Sequence, residues 1–151
     1  MPARKMHAGE RDIDLPLVRR LVADQFPRWA DLPLAPVHSH GTDNAIYRLG
    51  DEMAVRLPRI EAATGQVDKE HLWLAKLAPL LPLEVPVPLA KGGPADGYPW
   101  HWSVCRWLNG DDATAEPVTD MRAAAKVLGD FVAALWRLDP AGGPAPGVHN
   151  S

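Results

Sequence analysis

The sequence has one cysteine, no excess of positive charge and no long apolar run. A single cysteine, Cys105, excludes an internal disulfide, and the six histidines are too scattered to form a zinc site. With 16 basic and 19 acidic residues, the formal charge of −3 argues against a nucleic-acid partner. No segment is long and apolar enough to cross a membrane, and the N-terminus lacks a signal-peptide core. We therefore expect a cytoplasmic protein with no membrane partner.

Periodic apolar patterns along the 151 residues predict both helices and strands. Helices are predicted at residues 14–26, 64–78 and 119–138, the first with Asp14 as N-cap and the last with Thr119. Strands are predicted at residues 36–39, 45–49, 53–57, 85–90 and 100–107. Alternate prolines in 85–90 favour an edge strand. The order predicts an α+β fold, a five-stranded antiparallel sheet with one inserted helix, preceded by a helix and followed by a long helix.

A charged residue interrupts one of these strands. In the run from Met53 to Leu57, alternation places Met53, Val55 and Leu57 on one face and Ala54 and Arg56 on the other. The arginine shares its face with a small residue, so we expect it to point into a cleft. A guanidinium in a cleft requires an anionic partner, either a carboxylate of the same fold or a phosphate.

A carboxylate suited to Arg56 follows in the next helix. Glu70 falls on the apolar stripe that Val67, Leu74 and Leu77 form at helical spacing. One interpretation pairs Glu70 with Arg56. The other shifts the stripe by one position, so that Trp73 faces inward and Glu70 reaches water at the margin.

Four phrases carry a family resemblance: GTDNAIYRLG at 41–50, MAVRLPR at 53–59, the helix containing Lys69 and Glu70, and GYPWHWSVCRWLNG at 97–110. In this order and spacing the chain resembles the N-terminal lobe of the aminoglycoside phosphotransferase family, which has a protein-kinase-like fold. The resemblance implies a bound ATP or GTP with Mg²⁺. It places Ala54 against the base, and Arg56 on the α- and β-phosphates, oriented by Glu70.

The resemblance also assigns the two ends of the nucleotide site. The turn of Gly41, Thr42, Asp43 and Asn44 would cover the phosphates, although the same residues are common in an ordinary hairpin turn. The exit of the last strand, Arg106, Trp107 and Leu108, would bind the base edge through its backbone. Trp107 either stacks on the ligand or fills the core, and Cys105 is expected to be a small buried residue, not a nucleophile.

The catalytic half of the family pattern is absent from these residues. No His-Gly-Asp and no Asp-Phe-Gly tripeptide occurs, so neither a catalytic residue nor the Mg²⁺ ligands are encoded here. We expect three parts: a nucleotide-binding lobe at 1–110, a linker with the first helix of a second lobe at 111–139, and a Pro/Gly-rich tail at 140–151.

Two hypotheses about function follow. The chain is either the nucleotide-binding part of a kinase for a small hydroxyl compound, inactive alone as a fragment, or a non-catalytic binding or assembly module. The broad apolar arc of helix 119–138 predicts a homodimer through that helix, with folding back onto the sheet as the alternative.

Overall fold

The computed structural model describes residues 9–38, 41, 43–95 and 97–145, and it contains three α-helices and five strands in these ranges. In chain order they are α1 (Leu15–Gln25), β1 (Leu34–Pro36), β2 (Asn44–Leu49), β3 (Met53–Pro58), α2 (Thr64–Leu77), β4 (Pro88–Gly92), β5 (Trp102–Arg106) and α3 (Met121–Trp136). The strands form one antiparallel sheet in the order β1-β2-β3-β5-β4. The predicted α+β architecture is confirmed, with β4 at an edge.

The helix α1 begins where the sequence predicts. The carboxylate of Asp14 accepts a hydrogen bond of 2.9 Å from the backbone N–H of Leu17, which satisfies one of the free donors of the first turn. Its buried residues Val18, Leu21 and Val22 pack on one face of the sheet, together with the alternate residues of β2, β3 and β5 that point to that side. This face holds the hydrophobic core.

The buried indole of Trp102 fixes the pairing of the edge strand β4. Its Nε1–H donates to the carbonyl of Gly93 at 3.1 Å, and the ring lies against Gly92, where a Cβ would overlap it. Glycine is therefore required at position 92 because the backbone approaches a fully buried ring. Gln25, at the end of α1, exchanges two hydrogen bonds with Gly93 and ties this edge to the helix.

Three strands differ from the predicted bounds at both ends, and β2 and β3 are each one residue longer than predicted. The first strand is Leu34–Pro36 and not 36–39. It begins two residues earlier because Leu34 lies opposite Leu49, the last residue of β2. Residue 39 lies outside the described ranges. The edge strand is Pro88–Gly92 and not 85–90. Pro88 is its first residue, opposite Cys105, a place where an edge strand tolerates a missing N–H, and Pro86 lies before the ladder. The last strand is shortened at both ends, from 100–107 to Trp102–Arg106.

Helix α3 also differs from its predicted bounds, and it lies outside the core. Its N-cap is Asp120, whose carboxylate accepts from the N–H of Ala123 at 2.9 Å, and not Thr119. None of its 16 residues is buried, and Trp136 is 87% exposed. Folding of this helix back onto the sheet is therefore not observed. In the part of the chain that the structure describes, neither α3 nor any other helix combines the length and apolar character that a membrane crossing requires.

Candidate functional site

A cleft of about 720 Å³ lies on the face of the sheet opposite α1, between the strands and α2. The predicted site residues that the structure describes all line it: Gly41, Asp43, Asn44, Ala54, Arg56, Glu70, Arg106, Trp107 and Leu108. Thr42 lies outside the described residues. The predicted residues thus share one surface, although they come from a turn, two strands, a helix and a strand exit.

Antiparallel pairing builds the floor of this cleft. Arg56 of β3 is in register with Ile46 of β2 and with Ser103 of β5, and Ala54 is in register with Cys105. Residues in register point to the same face of a sheet, so these side chains are neighbours. The floor is mostly made of small side chains, which leaves open volume above it.

Arg56 and Glu70 form the predicted ion pair. Nη1 of Arg56 lies 2.7 Å from both carboxylate oxygens of Glu70, and Nη2 donates to Oε1 of Gln66 at 3.2 Å. The side chains of the pair are 27% and 28% exposed, so the interaction is only partly screened by solvent. The alternative, in which Glu70 reaches water at the margin in place of this pairing, is wrong. Trp73 is half-buried and carries Nζ of Lys76 at 4.9 Å from its ring centroid.

The exit of β5 is held by backbone hydrogen bonds. The N–H of Arg106 donates to the carbonyl of Val87 at 2.9 Å, and the N–H of Trp107 donates to the carbonyl of Glu52 at 2.8 Å. Among the described residues, none accepts a hydrogen bond from the N–H of Leu108, the next position along the cleft. The first backbone donor that this exit offers to a ligand is therefore at Leu108.

Trp107 lies at the boundary between the protein interior and the cleft. It is half-buried and lines the cleft, and the guanidinium of Arg48 lies 4.2 Å from the centroid of its ring. A cation over an aromatic face is attracted by the ring quadrupole. The side chain of Trp107 is thus in contact with Arg48, a residue of β2.

The site includes residues that the sequence patterns did not identify as binding residues: Ile46, Gln66, Pro86, Pro88, Ser103 and Cys105. Gln66 precedes Glu70 by one helical turn, and Ser103 and Cys105 alternate along one strand, so helix and strand periodicity could have indicated them. Burial raises the pKa of the Cys105 thiol, and its Sγ lies 3.7 Å from the carbonyl oxygen of Ala54. This environment disfavours the thiolate and agrees with an unreactive cysteine.

Two carboxylates line the cleft, those of Asp43 and Glu70, and the second is engaged by Arg56. Over residues 9–38, 41, 43–95 and 97–145, no group of three or more His, Cys, Asp or Glu side chains is close enough to hold a metal ion. The donor set present here does not fit a dedicated Mg²⁺ site, which requires several oxygen ligands in octahedral geometry.

Comparison with known proteins matches the chain to one family model and to several solved structures. The model of the phosphotransferase enzyme family matches residues 35–150. No curated protein sequence matches significantly.

Solved structures of aminoglycoside phosphotransferases superpose on most of the chain. The GDP complex of an aminoglycoside 2′-phosphotransferase-IIIa mutant has a TM-score of 0.76 at 17% identity, covering 91% of this chain and 48% of that one. The GDP complex of the wild-type enzyme gives 0.72 at 20% identity, with 88% and 47% covered. The ADP-bound aminoglycoside phosphotransferase APH(2″)-Ib gives 0.58 at 13%, with 84% and 41% covered. The chain therefore has the kinase-like fold of these enzymes and spans about half their length or less.

Proposed function

The chain belongs to the phosphotransferase enzyme family, and from this premise we propose that it is the nucleotide-binding lobe of a kinase for a small hydroxyl compound. The observation that carries the proposal is the position of Arg56, a cation oriented by Glu70 within an open cleft of about 720 Å³. Ligand pockets for molecules of nucleotide size have volumes of about 300–1,000 Å³. Both the charge and the volume suit a nucleoside triphosphate.

Each end of the nucleotide has a matching group in the cleft. The base would lie over Ala54 at the exit of β5, where the unpaired N–H of Leu108 can donate to its edge. The α- and β-phosphates would contact Arg56, and the turn that holds Gly41, Asp43 and Asn44 would cover them. Two superposed enzymes were solved as GDP and ADP complexes, which supports a nucleotide as the class of ligand. ATP and GTP remain equal candidates because the contacts to the base come from the backbone.

We assign the transfer step to groups outside these 151 residues. Phosphoryl transfer needs a residue that orients the hydroxyl and carboxylates that hold Mg²⁺ against the phosphates, and the sequence has neither motif. Residues 1–110 then form the nucleotide lobe, 111–139 a linker and the first helix of a second lobe, and 140–151 a tail. Two superposed enzymes are named with kanamycin and streptomycin, which makes a polyhydroxylated amino sugar one candidate acceptor.

Calorimetry with MgATP, MgGTP and the diphosphates tests the nucleotide site. We expect weak binding to the wild type, and Arg56→Met should lower the affinity by about 10- to 100-fold, the value of one charge-assisted contact. Arg19→Met, an exposed arginine on α1, is the matched control and should bind like the wild type. A coupled ADP-release assay should show no turnover.

Two results would overturn the assignment. A wild-type chain that binds no nucleotide at millimolar concentration, or an Arg56→Met variant with unchanged affinity, would remove the nucleotide site. Turnover by the purified chain would mean that the catalytic groups lie within these residues after all.

A second candidate function, an assembly module, is favoured by α3. Exposed apolar side chains on this helix include Leu128, Val132 and Trp136, and a second copy of the same helix could cover them around a two-fold axis. Sedimentation of the wild type against the double variant Phe131→Asp, Trp136→Glu tests this proposal. A dimer that becomes a folded monomer supports it, and a wild type that is monomeric at all concentrations refutes it.

A further inference from the structure

Arg48 connects the turn after β2 to the exit of β5. Its guanidinium stacks on the ring of Trp107, and its Nη2 donates to the carbonyl of Asp51 at 2.5 Å. In the sheet, Arg48 is in register with Ala54 on the face that holds the cleft. One side chain therefore fastens the β2–β3 turn to an indole at the cleft.

The Nε–H of Arg48 is buried, and no acceptor for it is found among the described residues. An unpaired buried donor costs free energy, and a methionine of similar length would fill this place without that cost. A methionine would lose two contacts of the guanidinium, the hydrogen bond to the carbonyl of Asp51 and the charged stack on Trp107. Of these two, only the stack is made to a side chain that lines the cleft.

Trp107 is positioned where its orientation changes the shape of the cleft. It lines the 720 Å³ cleft and also a second cavity of about 620 Å³ that includes Glu52, Met53 and Asn109. Its backbone is fixed by the hydrogen bond to the carbonyl of Glu52, but that bond does not determine the side-chain torsions. The guanidinium of Arg48, 4.2 Å from the centroid of the ring, is a side-chain contact that can fix its orientation.

We propose that Arg48 is a positioning residue of the nucleotide site, which holds the indole of Trp107 as the wall of the cleft beside the base. This inference rests on the proposed function of the cleft. It predicts a separation of roles: Arg48 acts on binding of the nucleoside part, whereas Arg56 acts on binding of the phosphates. Arg48 itself need not touch the ligand, since it is not among the residues that line the cleft.

The test compares two kinds of ligand, nucleoside diphosphates and inorganic tripolyphosphate, on the same variants of the full chain. Titration calorimetry with ADP and GDP measures nucleoside and phosphate contacts together, and inorganic tripolyphosphate measures the phosphate contacts alone. We expect Arg48→Met to weaken diphosphate binding by about 5- to 30-fold, which corresponds to the loss of one stack and one positioned ring. Tripolyphosphate affinity should stay within about two-fold of the wild type. Arg48→Lys keeps the charge without the planar group and should recover part of the affinity. Arg19→Met again serves as the matched control.

A readout without ligand completes the design. In the ¹H–¹⁵N spectrum, the indole resonance of Trp107, assigned by its loss in Trp107→Phe, should shift in Arg48→Met, while the other indole resonances stay in place. A purely structural role of Arg48 would shift several indole resonances and lower the affinity for both ligands equally.

Each failure has its own signature. If the wild type binds neither ligand, the proposed function is wrong and the role of Arg48 is wrong with it. If the wild type binds ADP or GDP and Arg48→Met binds them equally well, only the positioning role is wrong. Equal losses for the diphosphates and tripolyphosphate would also overturn the positioning role.

Discussion

The ion pair between Arg56 and Glu70 can be measured by a double-mutant cycle for folding stability. The cycle consists of Arg56→Met, Glu70→Gln and the double variant, none of which removes much packing volume. One nitrogen, Nη1 of Arg56, lies 2.7 Å from both oxygens of Glu70, so each single change leaves a charge facing the cleft without its partner.

The magnitude follows from the partial burial of the pair. A hydrogen bond to a charged group contributes about 1.5–3 kcal/mol, and a fully exposed ion pair about 0–1 kcal/mol. The side chains of Arg56 and Glu70 are 27% and 28% exposed, which places them between these limits. We expect each single change to lower the free energy of unfolding by about 1–2 kcal/mol. The double variant should lose no more than a single one, because it leaves no unpaired charge.

Urea unfolding followed by tryptophan fluorescence provides the assay, with the coupling energy taken from the midpoints at constant slope. The matched control is the cycle on Lys91 and Asp68, a pair of 2.9 Å that also joins α2 to the sheet but has side chains 42% and 58% exposed. Its coupling should be about 0.5 kcal/mol or less. A coupling for Arg56 and Glu70 no larger than that of the control would refute the reasoning.

Three further predictions concern Gly92, with Gly65 as its control, His71 and Cys105. Gly92→Ala should lower the free energy of unfolding by about 2–3 kcal/mol because its Cβ would overlap the fully buried Trp102. Gly65→Ala, where a Cβ meets no atom within 4 Å, should be neutral or stabilising in the same urea assay. Burial, with a smaller effect of a nearby lysine, lowers the pKa of His71, so the unfolded chain binds a proton more readily than the native one. Stability should therefore fall as the pH drops below about 6.5, and His71→Leu should flatten this part of the stability curve; an unchanged curve would contradict the prediction. Alkylation of Cys105 by iodoacetamide should be slower in the folded chain than in urea and slower still with saturating MgADP, and equal rates in all three would show that the thiol is not in the cleft.

Much of the local structure was determined by short patterns in the sequence. Asp14 caps α1 as predicted because a carboxylate before an apolar-periodic run satisfies N–H groups within its own helix turn. The alternation in 53–57 was enough to separate Arg56 from the core side of β3, since the period of a strand is fixed by its backbone. The patterns made the pairing with Glu70 one of two interpretations, and the structure shows the pair.

Other features were decided only by the tertiary structure. The sheet order inserts β5 between β3 and β4, and this long-range pairing brings Ser103 and Cys105 beside Arg56 and Ala54. The limits of β4 depend on where Pro88 meets the partner strand β5. The cap of α3 depends on which of two neighbouring side chains, Thr119 or Asp120, reaches the N–H of the first turn.

The stack of Arg48 on Trp107 belongs to the same class. These residues are far apart in the sequence, and their contact depends on the register and twist of strands that local periodicity does not encode. The patterns in the chain determine which face of its own element each side chain occupies. Which faces meet is determined only when the whole sheet pairs and buries its core.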